Sequence, residues 1–169
     1  MRALYTRMMQ VNACSILLSA CVSQPSGLNK YVPGLDEIMG QIAMRHTKLW
    51  YAGASQNWEL AAFEISELNE GFDKAGELHP ILKHIAQWLP VLFAGNIQKL
   101  LEHLKQSVKE RNLAQLTQNY DALTKACNTC HRATKFGFNK IKRPNFNPYS
   151  NQIFETENQK ISIIGAKRR

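Results

Sequence analysis

The sequence predicts an all-α chain, an up-down-up-down bundle of four helices followed by an irregular C-terminal tail. Three observations carry this expectation. Apolar residues recur at helical spacing in four successive segments, no segment alternates with the period of two that a strand needs, and the joins are short. The 169 residues suffice for one domain, and a 44% hydrophobic composition suffices for a core. Nine Gly and six Pro are too few for a collagen-like or low-complexity chain. No run of about 18 apolar residues occurs, so the pattern of an ordinary membrane-spanning helix is missing.

The first helix follows Pro33-Gly34, with Leu35, Ile38, Met39, Ile42, His46 and Leu49 on one stripe before Gly53. The second carries Trp58, Ala61, Ile65, Leu68 and Phe72, with Ser55 or Asn57 placed to cap it. A third segment opens at Pro80, a favoured first helical position, and runs to about Arg111. Pro90 and Gly95 should break or kink it between Ile85 and Asn96. In the fourth, Asn112 caps a stripe of Leu113, Leu116, Tyr120, Leu123, Cys127 and Cys130. Short joins after Gly53 and around Asn112 make neighbouring helices antiparallel. The expected division is a signal peptide over 1–20, a linker over 21–34, the bundle over 35–138 and a basic tail over 139–169.

Arg2 and Arg7 precede a short apolar stretch from Val11 to Ala20, which is a signal-peptide pattern. The element Leu18-Ser19-Ala20-Cys21 resembles the lipobox of bacterial lipoproteins. That resemblance implies cleavage before Cys21 and lipidation of its sulfur. The mature chain would then be exported, periplasmic and membrane-anchored, each buried CH₂ contributing roughly 0.8 kcal/mol. The plainer alternative is a soluble secreted protein whose cleavage site sits beside a cysteine.

Cysteine use points to chemistry. Cys14 leaves with the signal peptide and Cys21 takes the lipid, so Cys127 and Cys130 remain, within Cys127-Asn128-Thr129-Cys130-His131. In an exported chain, CxxCH reads as an attachment site for one covalent haem c. Two thiols add across the two vinyl groups, and the adjoining His131 becomes the proximal iron ligand. On a helix, positions i, i+3 and i+4 share one face. Two other readings compete. A thioredoxin-type thiol pair wants a helix N-terminus in a βαβ setting, and structural zinc wants four ligands.

Four helices with CxxCH in the last resemble the class II c-type cytochromes over roughly Leu35 to Phe138. The resemblance implies a haem-binding bundle whose distal side faces the first helix. It supplies no template for the 38 residues after His131. Elimination narrows the sixth iron ligand. No Met follows Met44 and no His follows His131, so a downstream Met ligand is ruled out within this chain. Met39 and His46 share one helical face, about 10.5 Å apart. Met39 lies toward the helix start, where the resemblance places the distal residue; ordinary core packing is its alternative. His46 is the alternative distal ligand, a propionate contact, or a satisfied buried imidazole. Met44 points away from this stripe, and His79, His84 and His103 read as surface residues.

Charge is uneven. Residues 21–124 hold nine Lys and Arg against eleven Asp and Glu, whereas residues 125–169 hold ten against two. Arg132, Lys135, Lys140, Lys142 and Arg143 make the motif end basic, suited to steering an acidic redox partner, neutralising haem propionates or meeting anionic lipid. No nucleic-acid module accompanies them. Phe136, Phe138, Pro144, Phe146 and Tyr149 are too aromatic for a free tail, so 136–150 should pack back on the helices, while Lys160 to Arg169 read as solvated. The expected function is electron transfer at the bacterial envelope. The alternative is a five-coordinate haem that binds nitric oxide or carbon monoxide, and a third class is an assembly subunit with structural haem. No acid–base pair or nucleophile constellation supports enzymatic turnover. The sequence leaves the oligomeric state open, a dimer included.

Overall fold

The computed structural model describes residues 31–82 and 87–157, and the chain divides into two units between Tyr31 and Val32. Expectations for the signal peptide, Cys14, Cys21, His84 and the tail beyond Glu157 lie outside the described residues. The described chain is mainly helical: α1 (Leu35–Ala54), α2 (Trp58–Leu78), α3 (Leu89–Asn96), α4 (Gln98–Lys109) and α5 (Leu113–Ala133). Among the described residues, no helix is long and apolar enough to cross a membrane.

Side-chain chemistry sets the helix ends. Asn57 Oδ1 accepts the Leu60 N–H at 3.2 Å and Asn112 Oδ1 accepts the Gln115 N–H at 3.1 Å, each relieving an unpaired first-turn donor. The apolar stripes then bury as spaced. Ile38, Ile42 and Leu49 of α1 join Ile65, Leu68 and Phe72 of α2 and Leu116, Tyr120 and Leu123 of α5 in one core. α1 and α2 run antiparallel, because Ile42 meets Gly71 while Arg45 bridges Glu64 at 3.3 Å and Glu67 at 2.7 Å. α4 and α5 turn back on each other likewise, Asn119 Nδ2 donating to Ser107 Oγ at 2.8 Å. Gly53 lets α1 approach α5 closely. A Cβ there would stand 2.6 Å from Leu116 Cδ2, nearer than carbon atoms pack.

The third segment departs from expectation. Residues just after Pro80 form no helix. Instead β1 (Ile81–Leu82) and β2 (Gln87–Trp88) pair antiparallel, Ile81 opposite Trp88, and the Leu89 N–H closes the hairpin on the Pro80 carbonyl at 2.9 Å. Pro90 does not break a helix; it sits in the first turn of α3, where its missing N–H would have had no helical partner. The division falls later, at Ile97, between α3 and α4.

The tail packs back, through Tyr149 and Phe154 more than through Phe136, Phe138 and Phe146. Phe136, Phe138 and Phe146 are largely exposed, whereas Phe154 is only 3% exposed and Tyr149 packs against the core. Phe154 lies 5.5 Å from the Tyr51 ring, and its carbonyl accepts from Asn57 Nδ2 at 3.1 Å. Arg143 forks onto the Asp121 carboxylate and lies 4.5 Å above the Trp50 ring. The packed part of the tail therefore extends past 150, because a buried aromatic and a backbone bond hold residue 154.

Candidate functional site

The packing leaves one large apolar cavity, about 550 Å³ in volume, beside the C-terminal turns of α5. Met39, Gly40, Ile42 and Ala43 of α1 form one wall. Cys127, Cys130 and His131 of α5 form another, continued by Phe136, Asn139 and Ile141 of the tail. Leu68 and Phe72 of α2, with Phe93 and Ile97, complete the apolar lining.

Helix register explains why Met39 and the motif share this cavity. α1 and α5 are antiparallel, with Gly53 against Leu116 and His46 against Thr124. Seven residues make two turns, so one further step toward the start of α1 arrives at Met39, while the same step along α5 arrives at His131. Met39 is half-buried against the core, and a Cβ added at neighbouring Gly40 would meet nothing within 4 Å.

The motif occupies the last turns of α5, with His131 itself in the final turn. Burial pushes the Cys127 thiol up to about 12, with neighbouring Cys130 adding to the rise, and burial also raises the Cys130 thiol. A helix C-terminus adds negative potential and further disfavours thiolates. Reactive redox thiols require the opposite surroundings. His131 Nδ1 lies 2.7 Å from the Asn139 carbonyl. A carbonyl can only accept, so Nδ1 carries a proton, which leaves Nε2 as the nitrogen available to a metal.

His46 also lines the cavity, but both its ring nitrogens are engaged. Thr124 Oγ1 donates to the Tyr120 carbonyl at 2.9 Å, so it accepts from His46 Nε2 at 3.0 Å. The Tyr120 hydroxyl then donates between His46 Nδ1 at 2.9 Å and the His46 carbonyl at 3.1 Å, and the two rings stack at 4.3 Å. This is the satisfied buried imidazole among the expected states of His46; service as distal ligand or propionate contact would require breaking the network. Burial holds the ring well below its usual 6.5, at about 4. Between those values the unfolded chain binds the proton more readily than the folded one. Stability therefore falls as pH drops from about 6.5 toward 4, with about 3 kcal/mol lost to this residue by pH 4. Glu64, raised by burial against the pull of Arg45, acts in the opposite direction. Urea unfolding of the parent and His46→Gln at pH 7 and pH 4.5 should therefore show a shallower pH dependence in the variant.

The remaining expected groups fall away from the cavity. Among its described lining residues Asp36 is the one carboxylate and no Lys or Arg takes part. Arg132, Lys135 and Lys140 are exposed and do not line the cavity. His103 is exposed, whereas His79 is not a free surface residue, its Nε2 lying 2.8 Å from the Pro33 carbonyl. Sequence reasoning missed Tyr120 and Thr124 as partners of His46. It also missed Asn128, whose side chain brackets the Ile141 backbone. Asn at the second motif position, with no stripe to pack into, was the available signal.

The donor set fits a covalently held haem. Two thiols at i and i+3 and an imidazole with a free Nε2 line one apolar cavity, whose volume lies within the roughly 300–1,000 Å³ of cofactor pockets. Among the described residues no three His, Cys, Asp or Glu side chains converge as a bare metal site would require. No family model, curated protein or solved structure matches this chain.

Proposed function

We propose that the protein is a c-type cytochrome, a class II-like bundle of α1, α2, the α3–α4 pair and α5 that holds one covalent haem c. The observation that carries the reading is the shared cavity: Cys127, Cys130 and His131 stand on one wall and Met39 on another. Cys127 and Cys130 would hold the group through thioethers and His131 Nε2 would ligate its iron, with Met39 as the distal residue. When bound, the group supplies a one-electron ferric–ferrous couple. The chain's own part is to exclude water with the apolar walls of α1 and α2 and to hold His131 in one tautomer through Asn139. The reaction class is electron transfer without substrate turnover. The exposed basic residues near the motif suit an acidic partner protein, and Leu18-Ser19-Ala20-Cys21 suits export and a lipid anchor.

Acid-acetone extraction of the purified protein tests this reading. Colour should stay with the polypeptide, because thioether links survive conditions that release non-covalent haem. A colourless polypeptide would overturn it. Gas binding at five-coordinate iron is the second reading, favoured by the apolar Ile42 and Ala43 on the same wall as Met39. The absorption spectrum of oxidised and reduced protein separates the two by coordination number.

A further inference from the structure

We infer that Asn128 is a positioning residue for the His131 imidazole, acting through the tail segment 136–141; this rests on the haem reading above. The segment follows the end of α5, where Lys135 takes a left-handed conformation with φ of 64° and reverses the chain. The Phe136 N–H donates to the His131 carbonyl at 2.7 Å, and the Asn139 N–H donates to the Phe136 carbonyl at 2.9 Å. These two bonds coil the segment beneath the motif. Its far end is held by one side chain. Asn128 Nδ2 donates to the Ile141 carbonyl at 2.7 Å while the Ile141 N–H donates to Asn128 Oδ1 at 2.8 Å.

That two-point bond matches the donor and acceptor of an amide to the C=O and N–H of one residue; a carboxylate lacks the donor, and a hydroxyl offers both only from a single atom. Between the two anchors lies Asn139, whose carbonyl accepts the His131 Nδ1–H at 2.7 Å. The amide at the first variable position of CxxCH therefore fixes the acceptor that orients the histidine of the same motif. Such an outer partner fixes the ring's tautomer and direction and raises the donor strength of its free nitrogen. Ile141 and Asn139 also line the cavity, so the same clamp closes the wall on the His131 side.

The experiment uses the full-length holoprotein in its ferrous, carbon monoxide-bound state, which is diamagnetic, and follows exchange of the His131 Nδ1 proton by NMR together with the reduction potential. Asn128→Ala should speed that exchange roughly tenfold or more, as expected when two hydrogen bonds are lost from a local opening equilibrium. It should also raise the potential, since a less basic imidazole stabilises ferric iron less well. Asn128→Asp keeps the acceptor for the Ile141 N–H and loses the donor, so it should fall between. This variant carries the test should the alanine variant fail to fold. Arg143→Ala loosens the tail at Asp121 and Trp50 and should leave both measurements at parent values. Parent values in Asn128→Ala or, where that variant fails, in Asn128→Asp overturn the inference, as do equal shifts in Arg143→Ala. A parent protein that keeps no haem through acid acetone sinks the haem reading instead, and is recognised before any variant is made.

Discussion

The variant carrying both Cys127→Ala and Cys130→Ala is expected to release all its haem into acid acetone, while each single variant retains a haem on one thioether. Both sulfurs belong to the wall of the same apolar cavity, and no other cysteine lies among the described residues to replace them. The effect on stability should be large as well. At about 24 cal/mol per Å³, a closed 550 Å³ void would cost on the order of 10 kcal/mol. That is a ceiling, since the walls can collapse and water can enter, yet it rivals the roughly 5–15 kcal/mol that holds a domain together. Circular dichroism of the double variant should therefore show a lower and broader thermal transition than the parent. A double variant that keeps its colour through extraction would refute the attachment.

Met39→Ala should convert the iron to five-coordinate, open it to carbon monoxide and lower the reduction potential, since a thioether favours the ferrous state. The register of α1 on α5 places Met39 level with His131, and the occupied nitrogens of His46 leave Met39 as the ligand-capable side chain on that wall. Optical spectra with and without carbon monoxide check the result. An unchanged spectrum, with stability reduced by about 2–5 kcal/mol, would assign Met39 to packing alone. A parent protein already five-coordinate would move gas binding ahead of electron transfer.

The sequence was most legible where a single periodicity governs. The stripes of α1, α2 and α5 and the caps Asn57 and Asn112 depend on neighbours three or four residues away, which a reader of the sequence can see. CxxCH was legible for the same reason. The hairpin after Pro80 was not, because two-residue strands have no period to detect and Pro90 suits a helix start as well as a break. His46 shows the other limit. Its place on the stripe was visible, but its engagement depends on Tyr120 and Thr124, more than 70 residues away, and no local pattern records that. Glu64 is similar: a carboxylate on a core stripe looks like an error until Arg45 of α1 is found against it.

The bond between Asn57 and the Phe154 carbonyl spans 97 residues, and this separation has a bearing on the order of events. The α1–α2 and α4–α5 pairings join neighbours along the chain and close cheaply, whereas a contact at that range carries a larger loop-closure cost and forms late. The stretch around Phe154, which packs on Tyr51 and Asn57, is thus among the last to settle. Until it settles, the ends of α1 and α2 beside Tyr51 and Asn57 stand uncovered. Burial of Phe154 closes that end of the core, so the last step of folding is written into the distance between two residues.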